Sequence, residues 1–168
     1  MEATVLLTGF EVFGDHHANV SKDVAERLLG QTFEVSVESN PPYVLESEVI
    51  HLTFEGEILT VDENGSRIVA GKIVSELPDA VIHLGLKDHT SQVHLELCAM
   101  NQSKFKIPDN RGRQPLNIPV EEQGLPLLHT TSHAPSLRLF SEQHSDIEVS
   151  DDCGSFVCNE TYYRTLHA

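Results

Sequence analysis

Two short apolar runs that each finish on a glycine do most to limit what this chain can fold into. They are Val5-Leu6-Leu7-Thr8-Gly9 near the start and Ala80-Val81-Ile82-His83-Leu84-Gly85 at mid-chain. Runs of this length without polar alternation are buried strands. Helical patterns follow them. Asn19 or Ser21 caps a helix over 21–29, with Val24, Leu28 and Leu29 apolar and Gly30 as its stop. A second helix over 66–76 carries Ile68, Val69, Ile73 and Val74, with Leu77 on the same face, and ends at Pro78-Asp79. Phe33-Glu34-Val35-Ser36-Val37 alternates as a strand, and Asn40-Pro41-Pro42 then breaks the chain. Residues 44–65 are weakly patterned and close on an Asn64-Gly65 turn. Further on, 93–99 alternates as a strand, 101–126 is loop-rich around the turn Pro108-Asp109-Asn110-Arg111-Gly112, and Ile147-Glu148-Val149-Ser150 is a last short strand. A helix starts near Cys158, with Asn159, Tyr162, Tyr163 and Leu166 in helical spacing. Strands alternating with helices predict an α/β layered sheet.

The chain has 168 residues, a length that suits one domain, and no repeat or linker divides it. With 11 Lys and Arg against 26 Asp and Glu, its formal net charge is −15. Phosphate backbones and acidic membranes would be repelled, and no basic cluster offsets this, so neither nucleic acid nor membrane is expected as a partner. No apolar stretch is long enough to span a bilayer, and the first residues lack the basic start of a signal peptide. Three cysteines form no disulfide framework, which suggests a reduced, cytoplasmic setting. Four Asn-x-Ser/Thr sequons begin at Asn19, Asn64, Asn101 and Asn159, and without a signal peptide they read as chance matches.

Two residues could carry chemistry. Cys158 lies between a short apolar segment and a helix, with Gly154 upstream to turn the chain. Helix N–H groups and dipole at such a place lower a thiol pKa and make a nucleophile; the alternative is a buried, inert cysteine. Glu96 interrupts the apolar strand Val93-His94-Leu95-Glu96-Leu97, and alternation puts it on the face of His94 and Cys98. It either faces solvent or orients a histidine. His129 and His133 stand at i, i+4, but Pro126 and Pro135 flank them, and His16-His17 lies in a loop beside Asp15; both groups read as solvated rather than metal-ligating. Gly9 to Gly14 is not G-x-G-x-x-G, so a dinucleotide site is not supported and no cofactor is expected.

Taken together, the motifs resemble one family, the pyroglutamyl peptidase I (pyrrolidone-carboxylate peptidase) cysteine peptidases. Thr8-Gly9-Phe10-Glu11-Val12-Phe13-Gly14 is similar to the family's T-G-F-x-P-F-G opening, and Asn19-Val20-Ser21 to its N-P-S. The run from Pro78 to Gly85 resembles its central strand. Leu95-Glu96-Leu97-Cys98-Ala99-Met100-Asn101 resembles L-E-x-x-A-x-N, and Pro108-Asp109-Asn110 resembles P-D-N. Ser150 to Asn159 resembles the nucleophile segment S-x-x-A-G-x-Y/F-x-C-N. The resemblance implies removal of an N-terminal pyroglutamyl residue from peptides by a Cys-His-Glu triad. It implies Cys158 as nucleophile, Glu96 as the group orienting the histidine, Phe10 and Phe13 sandwiching the lactam ring, and Ile107, Phe156 and Val157 lining the same pocket.

The resemblance also implies a three-layer α/β/α sandwich with a twisted mixed sheet. Val12 stands in place of the family's proline, Leu86 and Thr90 in place of Gln and Arg, Lys106 in place of Arg, and Cys153 in place of Ala. In the family the triad histidine lies in a strand beyond the nucleophile helix, and this sequence shows no such pattern before Ala168. His167 follows Cys158 by nine residues, about 13 Å along a helix, too far for a hydrogen bond. The chain is therefore expected to lack the family's last strand and helix, to be one domain over 1–168 incomplete at its C-terminus, and to be impaired as a peptidase. A non-catalytic pyroglutamyl-peptide-binding protein is the alternative, and a His-rich metal module a weaker one. The oligomeric state is left open.

Overall fold

A computed structural model describes residues 1–38 and 47–168. The first strand, β1 (Glu2–Phe10), is flanked by α1 (Val20–Leu28) and β2 (Thr32–Glu38) in sequence, and then come β3 (Ser47–Leu59), α2 (Glu63–Glu76) and β4 (Ala80–His83). These strands form one mixed sheet in the order β2-β3-β1-β4. Both neighbours of β1 run parallel to it, from Glu2 opposite His51 to Phe10 opposite Leu59 on one side and from Val5 opposite Ala80 to Thr8 opposite His83 on the other. β2 closes one edge antiparallel to β3.

Both apolar runs lie in this sheet, and Val5 to Phe10 are all buried. β4, at the end of the strand order, is not the buried strand expected: Ala80 and Ile82 are exposed, Ile82 at 42%. Alternation along β1 sends Gly9 one way and Leu6, Thr8 and Phe10 the other. A side chain at Gly9 would strike the Ser21 carbonyl and the Ala25 methyl of α1. On the opposite face, Leu6 and Phe10 join a core with Val69 of α2, Leu59, Val61, Phe105 and Val157. Helices thus cover both faces of β1, which is why its sequence carries no polar alternation.

The second half contains shorter strands. β5 (Val93–Glu96) pairs in parallel with β10 (Ile147–Ser150), β6 (Cys98–Met100) antiparallel with β9 (Leu127–His129), and β7 (Ser103–Lys104) with β8 (Leu116–Ile118). α3 (Ala134–Gln143) packs on β10, and α4 (Val157–His167) packs on α2, β6, β7 and β9.

Several sequence expectations need correction. The weakly patterned stretch contains β3, with 13 residues the longest strand described. It is half-buried on both faces, so it shows neither a clean alternation nor a continuous apolar run. Gly56 lets it lie against β1: its φ is 144°, and a Cβ there would overlap the Leu7 carbonyl. The Asn40-Pro41-Pro42 break and part of the weakly patterned stretch fall outside the described residues. Helix α2 begins at Glu63 rather than 66, because Asp62 accepts from the Gly65 N–H and caps it there. The strand expected over 93–99 is two strands. At the junction the Leu97 N–H bonds to Ser150, and its carbonyl accepts from Thr130, so the chain passes from one partner to another. The 101–126 stretch carries two short strands, β7 and β8. α3 was not foreseen. His129 lies on β9 and His133 caps α3, so the pair shares no helix and the i, i+4 spacing has no metal-binding meaning.

Candidate active site

Cys158 occupies the first turn of α4. The turn before it needs Gly154, whose φ is 75°. The sulfur rests 3.4 Å from where a Cβ would stand on Gly85, so a larger residue there would crowd it. The N–H groups of Cys158 itself and of Leu86 are directed at the sulfur and favour the thiolate. Burial outweighs them and pushes the thiol up to about 11.

Polar contacts hold this first turn of α4 in place. The Asn159 amide donates to the carbonyls of Met100 and Gln102, both at 2.9 Å. Its oxygen accepts from the Met100 N–H at 2.9 Å and from the Cys153 thiol at 3.0 Å. Glu160 is fully buried, accepts from Ser103, and takes a two-point contact from Arg113 at 2.9 and 2.6 Å. Arg113 also donates to Asp109 and lies 4.9 Å over the Phe105 ring. Glu160 also lies 3.6 Å from Arg164, so its buried carboxylate is shared by two guanidinium groups.

Glu96 ends β5. Its Oε1 lies 3.6 Å from Lys87 Nζ, while Oε2 is buried and has no hydrogen-bond partner among the described residues. At 22% exposure this side chain is not on an open strand face. The Tyr162 hydroxyl, one turn after Cys158 on α4, donates to the Glu96 carbonyl at 3.1 Å. Glu96 is therefore tied to α4 through its carbonyl, and its free carboxylate oxygen can still accept a hydrogen bond. A buried acceptor left unpaired is costly, so an oxygen in this state marks a place for a donor.

No histidine among the described residues is hydrogen-bonded to Cys158 or to the Glu96 carboxylate. His94 contacts Lys87 and Thr90. His167 stacks on Tyr163, on another side of α4 from Cys158, in accord with the distance argument. His83 is held between Thr8 and Thr165, and burial lowers its pKa to about 4.

The aromatic residues are brought together unevenly. The Phe13 and Phe156 rings lie 5.3 Å apart, and the Phe105 ring is tilted against Phe156 at 4.5 Å. Phe10 and Val157 are core residues of the same cluster, 2% and 0% exposed. Ile107 is 42% exposed and reaches toward Gly14. The 10–14 loop is tied down at both ends of its turn. Asn19 donates to the Glu11 carbonyl, and Asn110, from the P-D-N segment, donates to the Val12 carbonyl. The second bond restrains the turn where Val12 replaces proline. Sequence reasoning quoted Asn110 and Asn159 within motifs but gave them no role, and it missed Lys87 and the Arg113–Glu160 pair. Their signal is conformational and appears only when distant segments meet.

A thiol at a helix start with amides aimed at its sulfur is an arrangement that cysteine-type hydrolases use. Residues 3–168 match the family model described as pyroglutamyl peptidase. The pyrrolidone-carboxylate peptidase of Streptococcus suis is 28% identical over 97% of this chain and 69% of its own length. That of Bacillus cereus is 29% identical over 98% of this chain and 70% of its own. Among solved structures, pyroglutamyl peptidase I from Bacillus amyloliquefaciens superimposes with a TM-score of 0.79 at 27% identity, covering 99% of this chain and 73% of that one. Pyrrolidone carboxyl peptidase from Pyrococcus furiosus, at 23% identity and a TM-score of 0.79, shares the fold. The chain belongs to the pyroglutamyl peptidase family, a family of cysteine peptidases, and so to the α/β fold class its sequence pattern predicted.

Proposed function

We propose that residues 1–168 form one pyroglutamyl-peptidase-like domain whose substrate is a peptide bearing an N-terminal pyroglutamyl residue, acting in the cytoplasm. Cys158 is its nucleophile, Glu96 orients the general base, and Phe10, Phe13, Ile107, Phe156 and Val157 shape the apolar end of the lactam site. The reading is supported by Cys158 in the first turn of α4, with the N–H groups of Cys158 and Leu86 favouring its thiolate, and by Glu96, whose buried Oε2 has no hydrogen-bond partner among the described residues. In the reaction the thiolate attacks the pyroglutamyl carbonyl and the amide bond to the next residue breaks. The leaving amine takes a proton, and water then hydrolyses the thioester. The backbone N–H groups near the sulfur suit the oxyanion that forms on the way.

This chemistry needs an imidazole between Cys158 and Glu96, and no histidine among the described residues is bonded to either. A thiol at about 11 leaves only about one molecule in 10⁴ as thiolate at neutral pH. The chain as written is therefore proposed to be an impaired peptidase. The same observation favours the second reading, a protein that binds pyroglutamyl peptides without cleaving them.

Hydrolysis of a pyroglutamyl-coumarin substrate, with Cys158→Ser as control, separates these readings. Slow turnover that vanishes in Cys158→Ser is the expected result. Binding without any turnover in either form supports the second reading. Turnover at the full rate of an intact family enzyme would overturn the impairment.

A further inference from the structure

His83 lies where three site-bearing segments meet. Its Nδ1 is 2.7 Å from the Thr8 hydroxyl, at the end of β1 just before the loop of Phe10 and Phe13. Its Nε2 is 2.8 Å from the Thr165 hydroxyl on α4. Tyr162 of α4 meets the imidazole edge-on, with centroids 6.4 Å apart. His83 itself ends β4, and the chain continues directly into Leu84, Gly85 and Leu86.

The two elements run alongside each other in opposite directions. Residues 83 and 85 of an extended chain point to one side, and residues 158 and 165 of a helix lie on one face. His83 meets Thr165, and Gly85 meets the Cys158 sulfur. The Leu84 N–H continues the sheet by bonding to the Thr8 carbonyl at 2.8 Å. Both ring nitrogens are thus occupied, one as donor and one as acceptor in the neutral imidazole, and both partners are β-branched hydroxyls with stiff side chains.

We propose that His83 is a positioning residue for the nucleophile: bridging Thr8 and Thr165, it holds the Leu84-Gly85-Leu86 segment against α4 so that the Leu86 amide stays on the Cys158 sulfur. It does not touch substrate or take a proton in the reaction. The proposal rests on Cys158 being the nucleophile, and its test needs no peptide turnover.

The readout is the rate of Cys158 alkylation by iodoacetamide across pH, followed at that site by mass spectrometry, in the full chain. Thr165→Val removes one hydroxyl at nearly constant shape. It is expected to slow alkylation about three- to fivefold at pH 8 and to move the profile to higher pH. Thr165→Ser restores the hydroxyl and the wild-type profile. His83→Phe should slow alkylation at least as much as Thr165→Val. If His83→Phe fails to fold, the Thr165 pair decides alone. A folded Thr165→Val whose profile superimposes on wild type, or a Thr165→Ser as slow as Thr165→Val, overturns the proposal. Absence of peptidase turnover in the wild type would instead count against the catalytic reading of the site.

Discussion

At the scale of single residues, burial decides more than identity does. Cys158, Cys153 and Cys98 are all thiols whose surroundings favour the protonated form, yet only Cys158 has amides from two residues aimed at its sulfur. His83 shows the same rule for a base. An ordinary histidine titrates near 6.5, whereas burial holds this one at about 4. Between those values the unfolded chain takes up a proton that the folded protein refuses. The stability that His83 contributes is complete above about pH 6.5, falls as the pH drops toward 4, and is flat below. The loss is roughly 2 kcal/mol, once the ring's partial exposure is allowed for. Urea unfolding of wild type and His83→Phe at pH 7 and pH 4.5 checks this. The wild type should lose more stability than the variant between the two, and parallel losses would refute the assignment. Sequence alone marked His83 as one residue in a buried strand. Its partners, 75 residues upstream and 82 downstream, could not be read there.

At the scale of elements, caps and crossings place the site. Asp62 starts α2, and Val69 of that helix underlies the core beneath Val157. Burial acts to raise the Asp62 carboxyl, but hydrogen bonds from the Gly65 N–H, Thr60 and Arg111 outweigh it and hold the carboxyl below its ordinary value. Asp62→Ala is expected to cost about 1–2 kcal/mol at pH 7. That cost should shrink as acid protonates Asp62 in the wild type. Denaturant midpoints of the two proteins at pH 7 and near pH 3 measure both effects. Helices α1 and α2 were legible because each pairs an apolar face with a start or stop signal, and α4 because Asn159, Tyr162, Tyr163 and Leu166 fall in helical spacing. α3 was not, because none of its residues is buried and its N-cap, His133, makes no side-chain capping bond. β3 was hidden for a different reason. A strand half-covered on both sides obeys neither periodicity used to find strands.

At the scale of the whole molecule, one core carries the sheet and the site together. Leu6 from β1, Val69 from α2 and Val157 from α4 share a cluster with Phe10 and Phe105, and Phe13, Phe156 and Cys158 pack against it. Leu6→Ala should cost about 2–5 kcal/mol, because the cavity opens where three elements converge and cannot collapse. Thermal and urea unfolding give the number. The same variant should speed alkylation of Cys158, since loosened packing admits water to the sulfur. A destabilised protein with an unchanged alkylation rate would mean that the core and the thiol are independent.

The sequence by itself determined the α/β class, the first strand buried on both faces, the helix that begins next to Cys158, and the family. Each of these depends on residues close together in the chain, where periodicity and turn chemistry act directly. Tertiary structure alone decided that Glu96 keeps a buried oxygen without a partner among the described residues, that Asn110 restrains the turn at Val12, and that His83 joins β1 to α4. These features depend on distances between segments 66 to 98 residues apart, such as Tyr162 to Glu96 and Asn110 to Val12. Hydrogen bonds act over about 3 Å, and only packing the sheet against its helices brings such groups that close.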